Sequence, residues 1–246
     1  MSEPHPVILI TGAARRVGAA IARHLHAHGC RLVLHYRNSG SEAQALAAEL
    51  NRERADSALL VQADLAETAK LGALIERAVA HFGRLDGLVN NASAFYATPI
   101  ESATQQQWDE LMNANAKAPF FLAKAAAPHL RASGGAIVNV IDIYAQRPLP
   151  RHPLYSTSKA ALSMVTLALA QALGPEIRVN AVAPGTVLWA DNPQRAETVQ
   201  QVESGTALRR VGSAHDVAVA VRFLLLDARY STGTILRVDG GRLLAL

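Results

Sequence analysis

The sequence predicts an α/β fold: a doubly wound parallel sheet of about seven strands with helices on both faces, in a single domain. Three observations carry that expectation. Short runs rich in β-branched residues alternate with longer runs of helical spacing along the whole chain. The strand runs are apolar at consecutive rather than alternate positions, as strands covered on both faces are. No Gly/Ser/Pro-rich linker and no internal repeat divides the 246 residues, half of which are hydrophobic.

Val7–Ile10 is the first strand, and Arg16–His28 follows as a helix closed by Gly29. Arg31–Tyr36 is the second strand, Ser41–Arg54 the second helix and Ala58–Gln62 the third strand. Ala69–Phe82 carries helical periodicity, and Leu85–Asn90 is the fourth strand. Gln107–Leu130 has helical spacing and leads to a fifth strand, Ala136–Ile141. Ser156–Leu173 is a helix with small residues along one face. The strand Arg178–Val182, the helix His215–Leu226 and the strand Ile235–Val238 complete the pattern. Right-handed crossovers between parallel strands leave few topologies. In such sheets ligands bind beyond the carboxyl ends of the strands. The chemistry is therefore expected just after Ile10, Tyr36, Gln62, Asn90, Ile141 and Val182.

Composition excludes several classes. Half the residues are hydrophobic and 18% charged, so the chain is not disordered. The one cysteine, Cys30, cannot form an internal disulfide, which points to a reducing compartment. The first residues show no basic region followed by a long apolar stretch, so no signal peptide is expected. The longest apolar candidate, Met164–Leu173, is interrupted by Gln171 and falls short of the roughly 18 residues that span a bilayer. The expected localisation is the cytoplasm. The formal net charge of +4 is scattered, with no basic run and no interleaved aromatics, so a small anionic ligand fits better than nucleic acid. His24, His26 and His28 do not share one helical face, and no metal site is expected from them.

After the first strand comes Thr11-Gly12-Ala13-Ala14-Arg15-Arg16-Val17-Gly18. Gly12 permits a tight turn and Gly18 close packing of helix on sheet, and the free amides of a helix N-terminus attract a phosphate. Arg16 stands where such loops usually carry a glycine and can pair with a phosphate directly. Dinucleotide folds specific for NAD place an acid about 20 residues past the first glycine, on the ribose 2′-hydroxyl. No Asp or Glu occurs between Gly12 and Ser41. The second strand instead runs into Tyr36, Arg37, Asn38 and Ser39, which would attract a 2′-phosphate. NADP(H) is therefore expected over NAD(H).

Tyr155 and Lys159 lie one turn apart on one helical face. A phenol near pKa 10 is a poor acid–base group at neutral pH. A neighbouring ammonium is expected to lower that value toward the working range.

Thr11–Gly18, Asp64-Leu65, Asn90-Asn91-Ala92-Ser93, Asn115, Tyr155/Lys159, Pro184-Gly185 and Val238-Asp239-Gly240-Gly241 occur in that order. Together they resemble the short-chain dehydrogenases/reductases, a family of single-domain Rossmann-type enzymes, from Val7 to Gly241. The resemblance implies hydride transfer between NADPH and a bound substrate. It makes Tyr155 the proton donor and Lys159 the group that tunes it and binds the nicotinamide ribose. It makes Asn115 the support of a proton-relay water. It also implies cofactor contacts from Gly12, Arg15, Arg16, Val17, Gly18, Tyr36, Arg37, Asn38, Ser39, Asp64, Leu65, Asn91, Ala92, Ser93, Pro184, Gly185 and Thr186. The segment 187–193 would form a lid, with Gly185, Leu188 and Trp189 over the substrate. Homotetramers are usual in the family and are expected here.

One departure changes the expected substrate. Where most members carry a serine after the fifth strand, this chain has Asp142. An ionised carboxylate cannot donate to a ketone oxygen and repels developing oxyanion charge. It suits a nitrogen heterocycle, whose amino and ring N–H groups it can accept. With Arg16, the run His35-Tyr36-Arg37 and Ser93-Ala94-Phe95, it resembles the pteridine reductase branch. That resemblance implies a pterin stacked between the nicotinamide and Phe95. Asp142 and Tyr155 would hold it and relay a proton, with Arg16 and Ser93 at its edge. The competing expectations are a carbonyl or 3-oxoacyl thioester reductase and a non-catalytic NADPH-sensing protein.

Overall fold

The structure is a computed structural model that describes residues 5–187 and 195–244. Seven parallel strands form one sheet in the order β3-β2-β1-β4-β5-β6-β7. They are β1 Val7–Ile10, β2 Arg31–Tyr36, β3 Ala58–Gln62, β4 Gly87–Asn90, β5 Ala136–Val140, β6 Arg178–Pro184 and β7 Ile235–Val238. The helices are α1 Arg16–Ala27, α2 Gly40–Glu53, α3 Leu71–Phe82, α4 Gln105–Met112, α5 Ala118–Ser133, α6 Pro153–Leu173, α7 Arg195–Ser204 and α8 Ala214–Arg222. The strand order reverses at β1 and β4, so the crevice opens there, as the doubly wound topology requires.

Consecutive apolar residues in each strand feed two cores. Ile8, Ile10, Leu32 and Leu34 pack with Ile21 and Leu25 of α1 and Val217 and Val221 of α8. Val7, Leu9 and Val33 face the other way, onto Leu74 and Ile75 of α3 and Leu122 and Leu130 of α5. Each such fully buried aliphatic side chain stabilises the fold by about 1.5–3 kcal/mol relative to exposure. Gly29 closes the first helix in the left-handed region, with φ +87°.

Several boundaries differ from expectation by a residue or two, and four differences bear on the site or the core. The fourth strand starts at Gly87 rather than Leu85, because the Asp86 carboxylate turns back to accept the Val7 N–H at 2.8 Å and pairs with Arg84. Gln107–Leu130 is helical throughout, as its spacing predicts, but a wide turn of five residues, Asn113–Lys117, joins α4 to α5 in place of regular helix. Pro119 has no N–H to offer the carbonyl of Asn115 four residues earlier, so regular helix geometry fails at that point. α6 begins at Pro153, three residues before the expected Ser156, which puts Tyr155 inside its first turn. The helix expected over His215–Leu226 ends at Arg222 and continues as a second wide turn, Phe223–Asp227.

The histidines of the first helix part company. His26 is buried against Ser57 (2.8 Å), while His24 packs on His28 and on His215 of α8.

Candidate active site

The site is assembled at the carboxyl ends of the strands. A cleft of about 610 Å³ opens there between the β1–α1 turn, the end of β2 and the end of β4. Gly12, Arg16, Arg37, Asp64, Asn91 and Ser93 are among its walls.

The β1–α1 turn depends on glycine at two places. Gly12 has φ +62°, and a Cβ on it would meet the Ala92 Cα at 3.0 Å. A Cβ on Gly18 would lie 2.2 Å from the Gly12 carbonyl oxygen and 2.7 Å from Asn91 Nδ2. The backbone therefore closes tightly on itself and leads into the N-terminus of α1, whose first amides have no partner within the helix and suit a pyrophosphate. Arg16 also adopts a positive φ, +51°, at the position where a glycine is usual. Such a conformation costs a side-chain-bearing residue of order 1 kcal/mol and persists where the surroundings enforce it.

Thr11 and Asn91 lock the loop to β4. The Asn91 and Ala92 N–H groups donate to Thr11 Oγ1 at 2.9 and 3.0 Å. Asn91 Nδ2 donates to the carbonyls of Thr11 and Gly12 at 2.9 and 3.1 Å. Sequence reasoning did not single out Thr11, although its place beside Gly12 was the available signal. His35 was read only as part of a motif. It is 2% exposed, and its ring spans from the Gly12 N–H to the Ala63 carbonyl.

Arg37, Asn38 and Ser39 follow β2 at the cleft's far end, and Arg37 is exposed with no ion pair among the described residues. Arg15 is the exception in the basic set: it pairs with Glu42 at 3.6 Å. Tyr36, Val17 and Leu65 also line the cleft. The Asp64 carboxylate accepts the Ala66 N–H at 2.9 Å, fixing the turn after β3. These residues fit a phosphorylated dinucleotide: a glycine cradle no Cβ could enter, an arginine at each end, and no acid on the second strand.

Asp142, Tyr155 and Lys159 converge on one another and are not among the residues that line this cleft. The Tyr155 hydroxyl donates to Asp142 Oδ2 at 2.7 Å, and Asp142 Oδ1 accepts the Tyr144 N–H at 2.9 Å. Lys159 Nζ donates to the Val140 carbonyl at 3.0 Å and lies 5.8 Å from the centre of the Tyr155 ring. Lys159 is 2% exposed, and burial lowers its pKa to about 8 against the opposing pull of Asp142. Burial raises the Asp142 carboxyl, with the Tyr144 amide, Tyr155 and Lys159 working the other way.

The expected lowering of the Tyr155 phenol does not hold in this arrangement. Burial first, and then the negative charge and acceptor of Asp142, push it well above its ordinary value. Asp142 stands 2.7 Å from the hydroxyl, whereas the lysine amine is held away on a main-chain carbonyl. Tyr155 thus stays protonated in this arrangement and is a weaker acid than a free phenol.

Asn115 lies in the wide turn after α4 and is fully buried. Its Oδ1 accepts the Ala94 N–H at 2.8 Å and the Ser93 hydroxyl at 3.0 Å. Its Nδ2 donates to the Ala94 carbonyl at 3.0 Å and to Ser158 Oγ at 2.9 Å. Ser158 Oγ in turn donates to the Tyr155 carbonyl at 2.7 Å. All four side-chain valences are used, so the amide serves as a clamp between the β4 loop and α6. That leaves none of its side chain for the expected relay water.

Phe95 is 57% exposed, not a core aromatic. It stacks on His152 (5.0 Å between centres, 9° between planes) and meets Tyr155 edge to face at 4.7 Å. Pro184, Gly185 and Thr186 continue from β6, where a Cβ on Gly185 would lie 2.9 Å from Asp239. Leu188 and Trp189 lie outside the described residues.

Comparison with known proteins finds reductases along nearly the whole chain. Residues 12–242 match the family model described as enoyl-(acyl carrier protein) reductase. The chain is 36% identical to pteridine reductase 1 of Leishmania tarentolae, across 98% of this chain and 97% of that protein. It is 40% identical to a Streptomyces violaceoruber protein provisionally named ketoacyl reductase 2 of the granaticin polyketide synthase, across 96% and 95%. It is 33% identical to a short-chain type dehydrogenase/reductase of Picea abies, across 96% and 92%.

Proposed function

This chain belongs to the short-chain dehydrogenase/reductase family of oxidoreductases, and on that premise we propose that it is an NADPH-dependent pteridine reductase. The substrate class is dihydropterins, with pterins and dihydrofolate as further candidates, and the products are the tetrahydro forms. The observation that carries the reading is the Asp142 carboxylate hydrogen-bonded to the Tyr155 hydroxyl at 2.7 Å.

NADPH, when bound, supplies a hydride to the carbon of a C=N bond in the pyrazine ring. The adjacent nitrogen takes the proton, so one dihydropterin, one NADPH and one proton give one tetrahydropterin and one NADP⁺. Tyr155, kept protonated by its surroundings, donates that proton. Asp142 orients the hydroxyl, and its remaining lone pairs can accept from the ring and amino N–H groups of the pterin. The buried Lys159 amine would support the negative charge left on the phenolate oxygen as the proton leaves, at a distance fixed by the Val140 carbonyl. Phe95, 57% exposed, is the ring against which the pterin would stack, in exchange for or beside His152. Arg16 and Arg37 bind the cofactor phosphates, and Arg37 selects for the 2′-phosphate.

A 3-oxoacyl thioester reductase is the second reading, favoured by the 40% identity to a protein named as a ketoacyl reductase. Asp142 weighs against it, since an anion opposes charge developing on a ketone oxygen. Oxidation of NADPH, followed by absorbance, against dihydropterins, dihydrofolate and a 3-oxoacyl thioester separates the two. Turnover of dihydropterin supports the proposal; turnover of the thioester alone overturns it.

We also propose a homotetramer. Phe120, Met164 and Leu167 on α5 and α6 are exposed apolar side chains suited to helix packing between copies. Light scattering on the eluted protein tests it.

A further inference from the structure

We infer that His35 positions the phosphate-binding loop for the dinucleotide by acting as a neutral imidazole hydrogen-bonded on both ring nitrogens. The inference rests on the dinucleotide binding of the family alone and stands whichever substrate the enzyme reduces.

The ring's two partners fix its tautomer. The Gly12 N–H donates to Nδ1 at 3.2 Å, so that nitrogen must be bare. Nε2 faces the Ala63 carbonyl at 3.1 Å, so that nitrogen carries the hydrogen. The His35 main chain adds a third tie, accepting the Ala13 N–H at 2.9 Å. One buried side chain therefore joins three segments that line the dinucleotide cleft: the glycine loop, the end of β2 with Arg37, and the turn after β3 with Asp64. An apolar residue here would fill the space and leave the Gly12 amide unpaired in the loop that must hold its shape against a pyrophosphate.

Protonation has the same effect by a different route. An imidazolium presents a hydrogen at Nδ1 to a backbone hydrogen, and the bond to Gly12 becomes a repulsion. The charged groups facing the ring are Asp64, which favours the cation, and Arg37, which opposes it. Burial opposes it most, so the ring stays neutral below the ordinary histidine value.

The test is the affinity of the full-length protein for NADP⁺, measured by calorimetry from about pH 8 to about pH 5.5. His35→Asn places an amide oxygen near the Nδ1 position and cannot be protonated; His35→Leu keeps the bulk and has no acceptor. His35→Leu is expected to weaken binding by about tenfold to a hundredfold at pH 8. His35→Asn is expected to restore it to within about threefold of wild type. Lowering the pH is expected to weaken wild-type binding more steeply than that of His35→Asn, the difference isolating the imidazole from the 2′-phosphate and other histidines. Leu binding as tightly as wild type, or Asn as weakly as Leu, overturns the inference. So do parallel pH profiles for wild type and His35→Asn, a comparison that survives even if His35→Leu does not fold.

Discussion

The Tyr155 hydroxyl and the Asp142 carboxylate share a hydrogen bond of 2.7 Å, and that bond reverses the usual logic of a tyrosine beside a lysine. The carboxylate and burial hold the phenol protonated, while Lys159, fixed to the Val140 carbonyl, is itself pulled down to about 8. On the proposed reading that proton goes to a ring nitrogen of the substrate. Three further consequences of the site and one of the scaffold can be measured.

Tyr155→Phe removes the donated proton and keeps the ring that meets Phe95. Turnover is expected to fall by about 10²–10⁴-fold, the range of general acid catalysis. NADPH affinity, measured by calorimetry, is expected to stay near wild type. Equal turnover in the variant would refute the proton-donor role.

Arg37→Asp places a carboxylate where the 2′-phosphate is expected. NADPH affinity is expected to drop by about a hundredfold while NADH affinity holds or improves. Dissociation constants for both cofactors decide it, and an unmoved NADPH constant contradicts the assignment.

Lys159 makes stability depend on alkaline pH. Its folded value of about 8 lies below the ordinary 10.5, so between these the unfolded chain binds a proton that the folded chain does not. Stability from this group therefore rises with pH across that window and is lost as pH falls through about 8. Thermal melts at steps from pH 7 to about pH 10 are expected to show a rise in wild type that Lys159→Met lacks. In the assay, kcat is expected to fall as pH passes about 8 and the amine loses its charge.

Asn115→Ala deletes four side-chain hydrogen bonds at once, one buried and three part-buried, and takes from the Ala94 N–H its partner. The expected loss is about 3 kcal/mol. That corresponds to a melting temperature lower by roughly 10 °C in a chain of this size. A melting temperature within about a degree of wild type would show that the clamp contributes little.

The sheet was legible because its strands are apolar on both faces: Val7–Ile10 feeds two cores with alternate residues, and no other element type does that. The sites also followed, since parallel topology places Gly12, Arg37, Asp64, Asn91 and Asp142 at the same end of the sheet. What the spacing hid depended on three-dimensional contact. The wide turn at Asn113–Lys117 lies inside an unbroken run of helical spacing, with Pro119 just after it as the local signal. The direction of the Tyr155 shift turned on Asp142, thirteen positions away in the chain and adjacent only once β5 and α6 pack. His35 stood in the sequence as one member of a motif, and its own role depends on Gly12 and Ala63 reaching its two nitrogens. The helix Arg195–Ser204 escaped notice because its polar sequence lacks an apolar stripe.

The ratio of kcat/KM for a dihydropterin to that for a 3-oxoacyl thioester, compared between wild type and Asp142→Ser, tests the account most directly. Wild type is expected to favour the dihydropterin, and exchanging the carboxylate for a hydroxyl is expected to move the ratio by about a hundredfold toward the thioester. A ratio that the substitution leaves unchanged, or a wild type that already prefers the thioester, contradicts it.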